Sequence, residues 1–242
     1  MRVLIIIPAY NEQAALGGLL TEIRDLGDIG AELEVVVVDD GSADRTAEVA
    51  HAGGARVLEL CGNLGIGGAV QSGLRLAARE GFDFAVQIDG DGQHPPSELA
   101  RLIAGAARTP TPDLVVGTRY KDKQNFRSTT LRRLGSWWLK LVLRIVARVH
   151  VSDPTSGFRL YGPRALALFD ETYPYDFPEP ESLAVARAHG LVISETPVTM
   201  RERQGGSSSI SGFGAFYYML KVTLAIVLSY TRSKRKPDAT GS

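Results

Sequence analysis

This sequence contains almost no cysteine, which excludes the proteins that are stabilised by several disulfide bonds. The 242 residues include a single cysteine, Cys61. One cysteine cannot build a disulfide framework, so we expect a protein of a reducing compartment. The net charge is zero, because 27 Lys and Arg balance 27 Asp and Glu. With 44% hydrophobic and 22% charged residues, the composition predicts a folded globular chain and excludes a disordered one.

We expect no signal peptide at the start of this sequence, and two common phosphate-binding motifs are missing from it. The first apolar run, residues 3–7, stops at Pro8 and is too short for a signal peptide. No G-x-x-x-x-G-K-[ST] occurs, which excludes a P-loop. The glycine-rich residues 62–68 do not match G-x-G-x-x-G, so we do not expect a dinucleotide site of the Rossmann type. We also predict no nucleic-acid partner.

The first half of the chain alternates between strand-like and helix-like patterns. Short apolar runs rich in β-branched residues predict buried strands at residues 3–7, 34–38, 56–60, 84–88 and 113–117. Apolar residues at helical spacing predict helices at residues 12–26, 45–51, 69–79 and 97–107. The alternation predicts an α/β fold with a mainly parallel sheet flanked by helices on both faces.

Two apolar helices are predicted in the second half. Residues 136–149 carry Lys140, Arg144 and Arg148 on one stripe beside two tryptophans, which fits either a membrane interface or a core helix. Residues 213–230 are short for a membrane span of about 20 residues. They fit an interfacial helix, a docking helix for a membrane partner, a tilted span or a helix packed on the sheet.

Positive charge is concentrated between residues 119 and 148. This stretch has nine Lys and Arg against one acidic residue, Asp122, so its net charge is +8. Such a block predicts a phosphate-rich partner or an anionic membrane for that part of the chain, or simply a solvated helix face.

Polar residues follow several of the predicted strands, at the edge where parallel sheets bind ligands. After residues 84–88 the chain reads Asp-Gly-Asp-Gly-Gln. If it stays extended, Asp89, Asp91 and Gln93 lie on one side and offer oxygen ligands suited to Mg²⁺ or Mn²⁺. A turn rich in Asp and Gly, without a metal, is the alternative.

Five segments occurring in order resemble family 2 glycosyltransferases of the GT-A fold. They are PAYNE at 8–12, VDDGSAD at 38–44, NLG at 63–65, DGDGQHPP at 89–96 and GTRY at 117–120. Within that family they resemble the dolichol-phosphate mannose synthase-like branch, the polyprenyl-phosphate glycosyltransferases. The resemblance implies a nucleotide-sugar-binding half (1–118), an acceptor-side half (119–203), and a flexible link, apolar helix and basic tail (204–242).

The resemblance also implies roles for individual residues. The nucleotide would be bound by Pro8, Tyr10, Glu12, Val38, Asp40, Asp89, Gly90 and Asp91. The metal, Mg²⁺ or Mn²⁺, would be bound by Asp89, Asp91 and Gln93. Asp91 and Arg119 would be catalytic, and the acceptor phosphate would meet Arg119, Arg132, Ser136, Arg201 and Arg203. Residues 153–159, DPTSGFR, resemble the acceptor-side loop of the branch.

The implied reaction is a metal-dependent, inverting transfer of one sugar from a UDP- or GDP-sugar to undecaprenyl or decaprenyl phosphate. It would take place at the cytoplasmic face of the membrane, in cell-wall glycan biosynthesis, beside a small separate membrane protein. A phosphate acceptor is already an anion and needs little help from a base.

Two other functions stay open at the level of the sequence. A family member acting on a sugar hydroxyl would need a base, for which Glu179 or Glu181 could serve, although Pro178 and Pro180 also fit a surface loop. The chain could also be a membrane-docked nucleotide-sugar-binding subunit without activity of its own.

Overall fold

The computed structural model describes residues 1–119, 130–201 and 213–235. Its strands are β1 (Arg2–Ala9), β2 (Glu32–Asp39), β3 (Arg56–Glu59), β4 (Phe84–Gln87), β5 (Leu114–Thr118), β6 (Arg159–Tyr161) and β7 (Ile193–Pro197). They form one seven-stranded sheet in the order β3-β2-β1-β4-β6-β5-β7. Strand β6 runs antiparallel to its neighbours β4 and β5, and the other pairs are parallel. The predicted mainly parallel sheet is confirmed.

Helices cover both faces of this sheet. In the described ranges they are α1 (Gln13–Arg24), α2 (Thr46–Ala52), α3 (Gly65–Arg79), α4 (Leu99–Ala104), α5 (Thr130–Val146), α6 (Pro163–Glu171), α7 (Pro178–Ala188) and α8 (Phe213–Arg235). Short 3-10 turns flank α4. Helices α1, α2 and α4 pack on one face, and α3, α5, α6, α7 and α8 pack on the other. The helices of the second half therefore all lie on one side of the sheet.

The central strands are apolar on both sides because each of their faces meets a helix layer. In β1, Ile5 belongs to one core cluster and Ile6 to the other, and both are fully buried. Full burial of such a side chain contributes roughly 1.5–3 kcal/mol. This is why the strands of the first half appear in the sequence as continuous apolar runs.

The second half departs from the sequence predictions. Strands β6 and β7 and helices α6 and α7 were not predicted. Helix α5 begins at Thr130 and ends at Val146, so Arg148 lies beyond it with a positive φ of 53°. The predicted stripe of three basic residues on one helix is therefore wrong, and only Lys140 and Arg144 share α5.

Helices α5 and α8 leave an apolar surface exposed. In α8, Val222 and Ile226 are buried against the other helices, whereas the opposite side exposes apolar side chains. We call the exposed set the α5–α8 face: Leu134, Trp137, Trp138, Ile145, Tyr217, Leu220, Leu224 and Leu228. The indole N–H of Trp138 donates to Thr223 Oγ1 at 2.9 Å, which joins the two helices beside this face. Among the described residues, no helix is both long enough and apolar enough to cross a membrane.

Candidate active site

The segment after β4 is a turn. The chain turns at Gly90 and Asp91, and Gly92 has a φ of +76°. The N–H of Gln93 donates to Oδ1 of Asp91 at 3.0 Å, a short-range bond typical of Asp in turns. Of the two conformations that the sequence left open for residues 89–93, the structure has the turn and not the extended chain, and Gly92 supplies a positive φ that other residues rarely adopt.

His94 anchors this turn as a buried, neutral side chain. Its Nδ1 accepts a hydrogen bond from the backbone N–H of Asp89 at 3.1 Å, so its proton is on Nε2. The ring stacks on Phe158 with the centroids 5.0 Å apart. Burial lowers the pKa of His94, and the negative charges of Asp89 and Asp91 oppose that effect only in part. His94 thus orients the turn without adding positive charge to it.

The oxygen ligands of the turn fit a cation that is shared with a substrate. Within the described part of the chain, no group of three or more His, Cys, Asp or Glu is arranged to hold a metal ion. The turn offers two carboxylates, Asp89 and Asp91, with the carboxamide of Gln93 nearby in sequence. Mg²⁺ is commonly bound by one or two carboxylates together with substrate phosphates. The residues present therefore suit a metal bound together with a diphosphate better than a metal enclosed by protein alone.

Gly90 lets the turn approach the end of β1. A Cβ atom on Gly90 would lie 3.2 Å from the carbonyl oxygen of Pro8 and 3.6 Å from Cγ of Glu12. Tyr10, in the same loop, leaves 49% of its surface exposed. The structure thus brings three of the predicted nucleotide-binding residues, Pro8, Tyr10 and Glu12, next to the carboxylate turn.

The end of β2 contributes a buried carboxylate. Asp40 is 3% exposed, and its Oδ1 accepts from the N–H of Leu64 at 2.7 Å. It therefore holds the loop that leads into α3 against the carboxyl edge of the sheet. Val38, another predicted nucleotide-binding residue, is fully buried and contributes its side chain to the core.

Arg119, which follows β5, is paired with a carboxylate. Its Nε donates to Oδ2 of Asp153 at 2.6 Å, and Asp153 is fully buried. Glu195 of β7 accepts from the backbone N–H of Ser152 at 2.6 Å and from its hydroxyl at 2.8 Å. Two neighbouring strands, β5 and β7, therefore hold the start of the 153–159 loop and fix Arg119 at the sheet edge.

The 153–159 loop packs directly against the carboxylate turn. A Cβ on Gly157 would lie 2.8 Å from each carboxylate oxygen of Asp89, closer than real Cβ atoms approach. Phe158, the next residue, stacks on His94. The 153–159 loop, which the resemblance predicts to lie on the acceptor side, is thus in contact with Asp89, one of the predicted metal ligands.

Arg159 ends this loop as a fully buried cation. Its guanidinium donates to the carbonyl oxygens of Ser156 and Glu179, each at 2.7 Å, and to the hydroxyl of Ser182 at 2.6 Å. Hydrogen bonds of this kind make the burial of a charge tolerable. Arg159 thereby ties the loop to the first turn of α7.

Glu179 and Glu181 lie in the first turn of α7, so the surface-loop interpretation of Pro178 and Pro180 is wrong. Proline is compatible with a first helical turn because the N–H groups there have no partner within the helix. Burial raises the pKa of Glu179, and the positive charge of Arg159 opposes the rise. Glu181 contacts α8 through a hydrogen bond from the hydroxyl of Ser229.

Of the other predicted acceptor-phosphate residues, the structure describes the side chains of Arg201 and Ser136. Arg201 forms two hydrogen bonds with Glu22, at 2.7 and 2.9 Å, and its backbone N–H donates to the carbonyl of Gln93 at 2.9 Å. Ser136 is 8% exposed, and its hydroxyl has no hydrogen-bond partner within the described ranges. The side chain of Arg132 and the whole of Arg203 lie outside the described residues.

Several residues of this site were missed in the sequence. Asp153 was recognised only as part of a loop, and its pairing with Arg119 depends on contacts across 34 positions. Nothing in the sequence around Glu195 indicated that it belongs to the site. Gln87 could have been noticed, because it is the polar residue within the apolar run 84–88.

Comparison with known proteins gives a consistent assignment. The family model described as glycosyl transferase family 2 matches residues 4–167. An undecaprenyl-phosphate mannosyltransferase of Micrococcus luteus is 36% identical over 222 residues, which covers 88% of each chain. A polyprenol monophosphomannose synthase of Mycolicibacterium smegmatis is 32% identical and covers 91% of this chain and 85% of that protein.

Among solved structures, glucosyl-3-phosphoglycerate synthase from Mycobacterium tuberculosis is similar in fold. The complex of that enzyme with Mn²⁺, UDP and glucosyl-3-phosphoglycerate gives a TM-score of 0.70 at 20% identity. The alignment covers 98% of this chain and 81% of that one. The similarity confirms the GT-A-type architecture.

Proposed function

The chain belongs to glycosyl transferase family 2 and is a glycosyltransferase, and on that premise we propose that it moves one sugar from a nucleotide-sugar to polyprenyl phosphate. An oxygen of the acceptor phosphate would form a bond to the anomeric carbon of the sugar. The bond from that carbon to the diphosphate would break, and the nucleoside diphosphate would leave with the electron pair. Attack opposite the leaving group makes the transfer an inverting one.

One structural observation carries this proposal: the acceptor-side loop and the carboxylate turn are in contact. Gly157 leaves room for Asp89, and Phe158 stacks on His94. A donor bound at the turn and an acceptor bound at the loop would therefore meet at the same sheet edge. Arg119, fixed by Asp153, lies on the acceptor side of this edge.

Charge stabilisation is the main task of the site. A divalent cation, Mg²⁺ or Mn²⁺, would neutralise negative charge that develops on the departing diphosphate. Asp89, Asp91 and Gln93 would hold it. Arg119 would add positive charge at the diphosphate or at the acceptor phosphate, and Tyr10 and Asp40 would position the nucleotide.

We place the reaction at the membrane surface because of the α5–α8 face. Two helices expose tryptophan, tyrosine and leucine there, and Lys140, Arg144 and Lys221 lie on the same helices. Aromatic, aliphatic and basic side chains on one helix surface favour binding at an anionic membrane interface. A single exposed cysteine, Cys61, agrees with a reducing compartment and therefore with the cytoplasmic side. A small membrane protein could share this surface.

A donor screen tests the proposal. The purified chain is given undecaprenyl phosphate, Mg²⁺ or Mn²⁺, and in turn GDP-mannose, UDP-glucose and UDP-N-acetylglucosamine, and the lipid product is identified by mass spectrometry. GDP-mannose is the first donor to test because both relatives described above are named for mannose. We expect a sugar-phosphate lipid from one donor and a loss of at least about 100-fold in Asp91→Ala. Absence of lipid product with every donor, or full activity of Asp91→Ala, would contradict the proposal.

Glu179→Gln separates a phosphate acceptor from a hydroxyl acceptor. A phosphate is already ionised, so we expect turnover of Glu179→Gln within about tenfold of the wild type. Transfer to a sugar hydroxyl would require a base, whose removal typically lowers the rate by about 10²–10⁴-fold. A loss of that size, with the protein folded, would favour the hydroxyl acceptor.

A further inference from the structure

Gln87 is a buried glutamine for which the reaction described so far has no role. It is the last residue of β4, only 1% exposed, and two positions before Asp89. Its side-chain Nε2 donates to Oδ1 of Asp89 at 3.1 Å. The carboxylate that we assign to the metal is therefore held by a side chain from inside the sheet.

The orientation of the Gln87 amide follows from its two neighbours. An ionised carboxylate can only accept hydrogen bonds, so the amide nitrogen must face Asp89. The amide oxygen then faces the hydroxyl of Tyr161, which donates to it at 3.2 Å. Tyr161 therefore uses its only hydroxyl proton in the hydrogen bond to Gln87. Because of this, Tyr173, whose hydroxyl lies 3.2 Å away, must donate its proton to the hydroxyl oxygen of Tyr161.

These bonds form one directed chain: Tyr173 donates to Tyr161, Tyr161 to Gln87, and Gln87 to Asp89. The two tyrosines are 5% exposed or less. Burial raises the pKa of Tyr161 and of Tyr173, so both phenols keep the protons that they donate. Water cannot easily replace a donor in such a place, and a buried network of this kind is rigid when every member is satisfied.

Gly157 lies beside both the same carboxylate and the amide of Gln87. A Cβ there would lie 2.8 Å from both oxygens of Asp89 and 2.9 Å from Nε2 of Gln87. The Asp89 carboxylate thus contacts the amide of Gln87 and the backbone of the 153–159 loop on adjoining sides.

We propose that Gln87 is a positioning residue, which, aligned by Tyr161 and Tyr173, fixes the orientation of the Asp89 carboxylate for the divalent cation. This inference rests on the proposed function in one respect, namely that Asp89 binds the metal. Residues that orient metal ligands in this way typically change metal affinity by about 10–100-fold when they are replaced.

The test measures Mn²⁺ binding without turnover. Free Mn²⁺ is followed by electron paramagnetic resonance as it is titrated into the chain in the presence of UDP. We expect Gln87→Met to raise the Mn²⁺ Kd by about 10–100-fold. Tyr161→Phe removes one hydroxyl and keeps the packing, so it should raise the Kd by a smaller factor and serves as the second variant if Gln87→Met does not fold.

Gln71 provides the matched control. It is also a buried glutamine, 3% exposed, and its amide oxygen accepts from the hydroxyl of Tyr175 at 2.7 Å. Its amide nitrogen is directed at carbonyl oxygens of residues 169 and 170, away from the carboxylate turn. Gln71→Met should lower the stability of the fold and leave the Mn²⁺ Kd unchanged.

The outcomes separate this inference from the proposed function. Folded Gln87→Met and Tyr161→Phe with the wild-type Mn²⁺ Kd would overturn the positioning role alone. An equal rise of the Kd in Gln71→Met would also overturn it, because the effect would then be a general loss of stability. A wild-type chain that binds UDP but no Mn²⁺ would overturn the metal site itself, and this inference with it.

Discussion

At the residue scale, burial distinguishes two ion pairs that look alike in geometry. Arg119 and Asp153 approach to 2.6 Å with side-chain exposures of 15% and 0%. Arg201 and Glu22 approach to 2.7 Å with exposures of 41% and 42%. Water solvates the second pair and screens it, whereas the first pair has lost most of its water, so its two charges attract each other more strongly.

This difference predicts unequal effects of neutralising the two carboxylates. We expect Asp153→Asn to lower the free energy of unfolding by about 3–5 kcal/mol, because it removes a fully buried negative charge that is hydrogen-bonded to the guanidinium of Arg119. We expect Glu22→Gln to lower it by only about 0–1 kcal/mol. Urea unfolding of both variants, followed by circular dichroism, measures the two values. Equal losses would show that Asp153 is not the charge partner on which Arg119 depends.

Glu181 predicts a pH dependence of stability. Burial raises its pKa above the usual 4.5, and hydrogen bonds from Ser229 and from the N–H of Phe177 oppose the rise. The native state therefore binds this proton more tightly than the unfolded chain does. Protonated Glu181 therefore stabilises the native state. This contribution is fully present below about pH 4.5 and is lost as the pH rises through the pKa of Glu181 in the native state.

Glu181→Gln removes this titration. Its stability relative to the wild type should increase as the pH is raised from 4.5 to 8, as measured by the midpoint of thermal unfolding. Ser229→Ala is the matched variant, because it removes a hydrogen bond that favours the ionised carboxylate. Stability of Ser229→Ala should fall more steeply than that of the wild type over the same range. A constant difference between Glu181→Gln and the wild type at all pH values would contradict the prediction.

At the element scale, the sequence predicted best those strands that are buried on both faces. The apolar run 34–38 predicted β2 because both of its faces meet helices. Strand β6 has three residues, Arg159–Tyr161, one of them a buried arginine, so no apolar run indicated it. Helix α7 begins Pro-Glu-Pro and carries its acidic residues inward, which hid its helical pattern.

The site was predictable to the extent that polar residues end parallel strands. Asp89, Asp40 and Arg119 follow β4, β2 and β5, and the structure places them at one edge. The turn at residues 90–92 was one of the two conformations that the sequence left open, but the contact of Gly157 with Asp89 could not be predicted, because it depends on backbone segments far apart in sequence. Local pattern identifies which residues reach the edge, and tertiary packing decides which of them touch.

The α5–α8 face predicts binding to anionic vesicles. Leu220 and Leu224 are 58% and 57% exposed, so charges at these positions should not disturb the core. We expect Leu220→Glu combined with Leu224→Glu to weaken vesicle binding at least about tenfold, since burying one leucine contributes roughly 1.5–3 kcal/mol. Co-sedimentation with vesicles containing phosphatidylglycerol measures the change.

Arg79→Glu is the control for charge. Arg79 lies on α3 with 72% of its side chain exposed, and the substitution alters net charge by the same two units. It should leave vesicle binding nearly unchanged. Equal weakening by both changes would mean that net charge, and not the α5–α8 face, determines binding.

At the scale of the whole molecule, residues 1–118 and the residues that follow them are parts of one sheet. Strand β6 of the second half lies between β4 and β5 of the first, and β7 flanks β5 on its other side. Within residues 1–118, β5 would therefore have neither of its neighbours. One face of the sheet is covered by α3 together with α5, α6, α7 and α8, and these last four helices all come from the second half.

This interleaving predicts that residues 1–118 do not fold alone, although they carry most of the proposed nucleotide-binding residues. We expect the fragment 1–118 to lack a cooperative thermal transition, because Val116 and its neighbours would lose both strand pairing and cover. The fragment 1–201 retains all seven strands and should unfold cooperatively, at a lower temperature than the full chain because the packing of Val222 and Ile226 is lost. Circular dichroism on heating compares the three. A sharp transition in 1–118 would show that residues 1–118 are an independent folding unit and that contact with the 153–159 loop is not needed to fold them.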